Sequence, residues 1–584
     1  MKYKIALYCL LLFTLLFAFL QLHSEYHYYY VEQNQLFLNT WPYLMERLAL
    51  PGGGALILSE FLVQFFAYPY AGALISAALL TGIVMLTASV LYKIAPLAVE
   101  WPILAFLPAL SLLLIQFDFN YFLQGTVAFL LMLLFIEGYS LLKSPTGQFC
   151  YTFMATLLLF WFAGPVALLF AVSILLYQAV RRSKQVYWYF IPIALSLLCG
   201  LICIETGVTG DYRLAFLPDL YYHHQLKPET VLYFSWIALL LAIVFLFLLR
   251  KGKTSGKKRL IIQGLLQLLL LAVLFHFGLE KYDDRKSEKF KRFDYYARTG
   301  QWDAIIDQSK DKQTNYLYLS LLNLALAEKG ELADRAFTFD QKGVNGIFPQ
   351  WNKTTNLSIL LSDLFFAMGN IANAQEMAFE AYISAPGYGN PRMLKRLIQT
   401  NLIYGHWAVA EKYITLLEQT VYYRNWAHDQ RRFLRNKAAV EQDPLLGGKR
   451  ECLPTSRQNV LVLPDILDLP LSKIAEANPS DRTAIEYLGT TYLVCKEMNL
   501  FQQFLDQYYG TDILPALPRS FQEAVIILHE KDPEQWKKYG IGDQIIRRFT
   551  GYKQQVLAYK NDPAAPGLLH RSFGDTYWFY FMFK

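Results

Sequence analysis

The sequence predicts an all-α protein, a polytopic transmembrane helical domain of about nine spans followed by a soluble α-solenoid. Three observations carry this. Apolar runs recur through the first 280 residues at lengths that cross or nearly cross a bilayer. The 54% hydrophobic content is concentrated in that half, and the remainder has ordinary soluble composition. In that remainder, amphipathic segments come in pairs with small residues where two helices would touch.

Crossing ~30 Å of hydrocarbon takes roughly 17–25 helical residues, and a lone span must satisfy its own backbone, which only a helix does. The runs are 5–22, 70–92, 101–116, 121–142, 149–163, 165–180, 186–204, 230–249 and 260–278, with 101–116 and 149–163 short enough to be tilted or half-inserted. Lys2 and Lys4 precede the first, and its exit, Gln21-Leu-His-Ser-Glu25, offers no small-x-small cleavage site, so an uncleaved anchor is expected.

Lysine and arginine set the orientation. Alternate connections carry Lys93, Lys143, then Arg181, Arg182 and Lys184, then Arg250, Lys251, Lys253, Lys257, Lys258 and Arg259. The intervening ones carry only Arg47, Arg213 and Lys227. The N-terminus is therefore expected inside, in the cytoplasmic (inner) membrane, and everything after the ninth span in the periplasm. The same bias accounts for the net charge of +7, so the bilayer is the expected partner and nucleic acid is not. Of six cysteines, Cys452 and Cys495 alone fall in the soluble half, where export would allow them to pair.

The loop 23–69 is far longer than a connection needs. Leu36, Phe37, Trp41, Leu44 and Leu48 recur at helical spacing and predict a helix in the membrane interface, broken by Gly52–Gly54. Those glycines lack a following Lys-Ser/Thr, so they form a turn and no phosphate loop. A second outer loop, 205–229, carries Asp211, Arg213, Asp219, His223 and His224, and a third is the short Gln116–Asn120. No metal signature or nucleophile elbow is present. What remains for chemistry is Glu25 and Glu32 in the long loop, Asp118 at the top of the third span, and Arg213, His223 and His224 as candidate phosphate ligands. Inside the spans, Glu137, Gln263, Gln267 and His276 are the notable polar groups; Glu137 sits near an end and can snorkel.

Residues 281–292 read as a solvated charged connector, 293–420 as helical repeats, 421–475 as an irregular insertion, and 476–584 as further repeat helices with an aromatic tail that caps or docks. The clearest unit has Leu361, Phe365, Gly369, Ala374, Ala381 and Pro386; the second has Pro479, Leu488, Gly489 and Tyr492. Small residues allow close helix approach, an aromatic fills between, and proline ends the second helix. These positions resemble the tetratricopeptide pattern in a degenerate array. The layout of the first half is similar to the GT-C class of membrane glycosyltransferases, which place an acidic residue in a long first outer loop and often a second between spans three and four. That resemblance implies Glu32 and Asp118 as catalytic groups, a polyprenyl-phosphate sugar donor and a divalent cation. The sequence departs from the class in lacking an adjacent Asp-Glu pair in that loop. The whole chain looks like an uncharacterised bacterial family of multi-span proteins with helical-repeat tails. The leading expectation is a membrane protein presenting a periplasmic repeat domain to a protein or peptide partner, with no cofactor. Glycosyl transfer is the alternative, and transport the third.

Overall fold

A computed structural model describes residues 2–181, 185–249, 257–310, 315–385, 389–453, 468–560 and 562–584. Among these residues there is no strand, only the isolated bridges Tyr121–Tyr222 and Tyr509–Leu514. The chain divides into two compact units, residues 1–291 with 419–422, and residues 292–418 with 423–584. Pro386, Arg182, Lys184, Arg250, Lys251 and Lys253 lie outside the described residues.

The first unit comprises α1 (Lys2–Glu32), α2 (Trp41–Leu48), α3 (Gly53–Val63), α4 (Ala71–Ile94), α5 (Ile103–Ile115), α6 (Gln124–Leu141), α7 (Pro145–Ala163), α8 (Val166–Val180), α9 (Phe190–Glu205), α10 (Tyr212–Phe216), α11 (Val231–Leu249) and α12 (Lys257–Tyr282). Each of the nine apolar runs forms a helix, and among the described residues seven helices are long and apolar enough to cross a membrane. The exceptions are α5 and α8, of 13 and 15 residues. At ~1.5 Å per residue neither reaches across ~30 Å of hydrocarbon. The run at 149–163, expected to be short, instead extends back to Pro145, where Ser144 Oγ accepts from Gly147 N at 2.9 Å and caps the helix.

The shortness of α5 has a local cause. A 3-10 turn, Pro96–Glu100, precedes it, and the break leaves backbone groups unpaired. The glutamines of α12 supply the missing partners: Gln267 Oε1 accepts from Ile103 N at 3.2 Å, and Gln267 and Gln263 donate to the Glu100 carbonyl at 2.9 and 3.1 Å. Glu137 is paired with Lys93 and accepts from Ser89 Oγ at 3.0 Å, so it does not depend on snorkelling alone. Small residues on α4 permit its contacts: a Cβ on Gly72 would stand 2.3 Å from the Tyr28 ring of α1.

The long loop is shorter than expected. Residues 23–32 continue α1 past a kink at Ser24 (φ −134°, ψ 22°), so Glu25 and Glu32 are helical. Leu36 and Phe37 precede α2 rather than lying on it, and Gly52 makes the break at φ +82°.

The helix α13 (Arg285–Arg298) contains the boundary between the units. The second unit continues with α14 (Trp302–Asp307), α15 (Tyr316–Glu328), α16 (Leu332–Arg335), α17 (Thr355–Ala367), α18 (Ile371–Ser384), α19 (Pro391–Tyr404), α20 (Trp407–Glu418), α21 (Arg424–Gln430), α22 (Lys437–Gln442), α23 (Pro444–Glu451), α24 (Asp468–Ala477), α25 (Thr483–Cys495), α26 (Met498–Tyr508), α27 (Arg519–Leu528), α28 (Pro533–Lys538), α29 (Asp543–Ala558), α30 (Ala565–Phe573) and α31 (Tyr577–Phe583). The stretch 421–475 thus carries short helices over most of its described part.

Leu361 and Phe365 on α17 and Ala374 and Ala381 on α18 are buried; Phe365 meets Phe348 at 6.4 Å, and Ser362 Oγ donates to the Ala374 carbonyl at 2.8 Å between the two helices. Gly369 ends α17 at φ +80°, and a Cβ there would meet Cys452 Sγ at 2.8 Å. Leu488 is buried, Pro479 half-buried in the turn before α25, and Tyr492 meets Phe504 edge-on at 6.2 Å. A Cβ on Gly489 would stand 2.3 Å from the Phe521 ring, so only glycine lets α27 approach α25 so closely.

Chain order is not stacking order. The second repeat-like helix, α25, packs against α15 and α16, and α27 against α16, so the late helices return to the early ones. Glu486 accepts from Ala333 N at 3.2 Å across that contact. The aromatic tail forms α31, with Tyr577, Trp578, Phe579 and Tyr580 buried, which makes it core of this unit. Cys452, buried, and Cys495, exposed, form no disulfide with each other.

Candidate functional site

One end of the first unit gathers titratable groups from four segments. The turn after α5 bends back on Asp118, whose Oδ1 accepts from Asn120 N and Nδ2, each at 2.9 Å. The loop before α11 pairs with that turn: Phe122 N donates to the Tyr221 carbonyl at 2.9 Å and His223 N to the Asn120 carbonyl at 3.0 Å. This pairing delivers Tyr222, whose hydroxyl donates to Asp118 Oδ2 at 2.5 Å. Burial, then the adjacent Asp118 carboxylate, pushes the Tyr222 phenol above its usual range. His223 and His224 stack in parallel at 5.3 Å. Burial and then its neighbour hold the His223 imidazole below its usual value, and its Nδ1 is buried with no hydrogen-bond partner.

Of the residues expected from the sequence, Asp118, His223 and His224 therefore lie on the two paired segments, with Tyr222 making the contact to Asp118. Arg213 does not join them; it is exposed and pairs with Asp211 at 3.3 Å. Glu32 is 3% exposed and accepts from Gln33 Nε2 at 2.5 Å, so it is not the solvated loop carboxylate expected. Its helix end lies near the turn, with the Tyr30 ring edge-on to Phe119 at 5.4 Å.

The connector at 281–292 is also unlike its expectation, being partly buried and cross-linked by charge. Asp283 bonds His23 Nε2 at 3.1 Å and Arg285 Nε at 2.8 Å. Lys291 is 4% exposed, within 3.2 Å of His27 Nδ1 and 3.3 Å of Asp284, and lies over the Phe119 ring. Burial lowers its ammonium below the usual value while Asp284, Asp118 and Asp283 act to raise it. Composition alone reads this segment as wet; its spacing in sequence from His23 and His27 hides the pairing. The cluster Tyr43–Glu60–Arg47 was hidden in the same way. Tyr43 donates to Glu60, and Arg47 stands 3.6 Å from the same carboxylate.

Chemically, Asp118 accepts on both oxygens and orients Tyr222, and the unpartnered Nδ1 of His223 is the buried free capacity beside it. Among the described residues no group of three or more His, Cys, Asp or Glu is placed to hold a metal. Beside this end of the unit lies a cavity of about 420 Å³ between α1, α4, α5 and α12, lined wholly by apolar side chains. Two of its wall residues, Phe19 and Phe275, meet at 5.3 Å, and Phe19 contacts Phe117 at 6.3 Å, one residue before Asp118.

The second unit holds a different kind of surface. Glu328, at the end of α15, is open to solvent. Surrounding protein nonetheless raises its carboxyl, with Lys449 and Arg396 opposing and Asp363 and Asp481 reinforcing. The charges that act on it come from α17, α19, α23 and the turn before α25.

A family model described as a family of unknown function, DUF6057, matches residues 1–584. No curated protein and no solved structure matches the chain.

Proposed function

The chain belongs to the DUF6057 family, and from that premise we propose a multi-pass protein of the cytoplasmic membrane that presents its second unit in the periplasm to bind a protein or peptide partner in the cell envelope. The lysine and arginine bias supports the orientation. The tetratricopeptide-like helix pairs support the binding role, since such arrays take extended segments on a concave face. The observation that carries the reading is the pairing of successive helices, α17 with α18, α18 with α19 and α19 with α20, beside which α15 ends at the exposed Glu328. A photo-crosslinking residue at position 328, in cells, is expected to capture one periplasmic partner. The same residue at the exposed Lys560 is the control. Equal capture at both positions, or none at 328, removes the reading.

A second reading, lipid-linked glycosyl transfer, is favoured by the apolar cavity that ends beside Phe117 and Asp118. It offers a polyprenyl chain a dry seat, with His223 and His224 near the phosphate. Among the described residues no group of three or more His, Cys, Asp or Glu is placed to hold a divalent cation, so no step is routed through a metal. On this reading Asp118→Asn abolishes donor turnover in reconstituted vesicles while the protein still inserts and melts normally. Unchanged turnover in the variant, or none in the unaltered protein, eliminates it.

A further inference from the structure

The second unit contains a cavity of about 620 Å³ between residues 309–310, residues 337–341 and the helices α30 and α31. Its volume lies within the roughly 300–1,000 Å³ common for small-molecule sites. Two kinds of group line it. One is aromatic: Phe337, Phe339, Phe579 and Tyr580, of which Phe337, Phe579 and Tyr580 are buried and so present a fixed wall. The other is charged: Lys310, Asp340, Arg571, Asp575 and Lys584, with His570 beside them.

Most of these charges are already committed. Lys584 is bonded to Asp340 at 2.6 Å and Lys310 to Asp307 at 2.8 Å. Asp575 is held by Arg548 at 2.5 Å and by Arg519 at 3.0 Å, and these pairs keep its carboxyl below the usual range against the effect of burial. His570 lies edge-on to Phe579 at 5.2 Å. Arg571 has no partner among the described residues. A guanidinium left unpaired at an aromatic-walled cavity matches one chemistry. Its planar fork bonds a carboxylate or phosphate bidentately, and the rings accept a flat apolar body. A cation is disfavoured, because both acidic groups are spent on internal pairs.

We propose that this cavity is a binding site for a small ligand joining an anionic group, carboxylate or phosphate, to a flat apolar body, with Arg571 as the anion anchor and the Phe337–Phe579 wall as its bed. The inference does not rest on the partner-binding role or on the glycosyl-transfer reading, since the site lies wholly within the second unit.

Saturation-transfer NMR on the full chain in detergent tests it with three probes: 3-phenylpropanoate, its uncharged amide, and inorganic phosphate. The acid is expected to bind saturably, and the amide about tenfold more weakly or worse. Arg571→Ala is expected to weaken the acid by about tenfold, with Arg571→Lys intermediate because one point charge replaces the fork. Arg571 is exposed and unpaired, so the melting temperature should not move; Lys310→Glu provides a second variant expected to weaken the acid. Displacement of the acid by phosphate assigns the site to phosphorylated ligands, and failure to displace assigns it to carboxylates. Equal binding of acid and amide, insensitivity to both Arg571→Ala and Lys310→Glu, or no saturable binding of the acid up to on the order of 10 mM overturns the proposal.

Discussion

Asp363→Ala is expected to lower the melting temperature of the second unit by roughly 10 °C, the largest effect of any single substitution considered. Asp363 lies on α17 and bonds two arginines of α19: Arg392, and Arg396 at 2.9 Å. All three side chains are close to buried, at 10–16% exposure. Arg392 keeps a second carboxylate, Asp294, when Asp363 is removed. Arg396 keeps no bonded carboxylate; it retains Gln399 at 3.2 Å, the face of Phe366 with its charge 3.6 Å from the ring centre, and only the longer-range pull of Glu328. Removing one member of a buried pair costs about 3–5 kcal/mol because the other charge stays desolvated and unpaired. Against a typical total of about 5–15 kcal/mol, that loss is large. The discriminating control replaces both charges, Asp363→Leu with Arg396→Met. Volume is roughly kept and no charge is orphaned, so most of the stability should return. Thermal melts of the full chain in detergent read both. A single variant that melts within a degree or two of the unaltered protein would show that the cluster is solvated and contributes little.

The same distinction, between charges that composition reveals and partners that only folding supplies, separates what was legible in the sequence from what was not. All nine apolar runs form helices, seven of them long and apolar enough to cross a membrane, and the apolar length that predicts this is read from a short window of chain. Gly369, Ala374, Ala381 and Gly489 were legible for a similar reason, since a glycine or alanine at a helix contact is recorded in the helix itself. Three features depended on distant residues and were not legible. The late start of α5, at Ile103, is completed by Gln267, which lies 164 residues away. The burial of Lys291 needs His27, 264 residues away. The return of α25 and α27 onto α15 and α16 leaves no periodic signal, because each helix pattern is the same whichever neighbour covers it. Asp118 with His223 falls between these cases. Each residue was a candidate by type and loop, but the pairing of Asn120 with His223 that joins them is tertiary.

The second large effect is a pH dependence seated at Glu523. This residue lies on α27, 2% exposed, with Oε2 accepting from Tyr577 N at 2.6 Å and Oε1 from Arg519 Nε at 2.9 Å. Its own carbonyl accepts from Trp578 Nε1 at 2.8 Å, so it clamps the start of α31. Burial outweighs Arg519 and lifts the carboxyl from the usual 4.5 to about 7. In the unfolded chain the group ionises near its usual value, whereas in the folded chain it holds its proton to about 7. Between those two points the native state binds more protons, so stability falls as pH rises through the window and is flat above it. The interval corresponds to about 3 kcal/mol. Glu523→Gln is neutral at every pH and still offers Tyr577 an acceptor. Its melting temperature minus that of the unaltered protein should therefore climb between about pH 4.5 and pH 7 and then level. Glu486, raised to about 6, gives a slope of the same sign, and Asp481, lowered by Lys449 against burial, one of the opposite sign. Both are present in the two proteins and cancel in the difference. A difference that stays constant across the window would mean that Glu523 is ionised in the folded chain at low pH, with Arg519 and not the buried proton setting its state. Because α31 also walls the cavity that holds Arg571, the same titration should loosen ligand binding in the unaltered protein and spare it in Glu523→Gln.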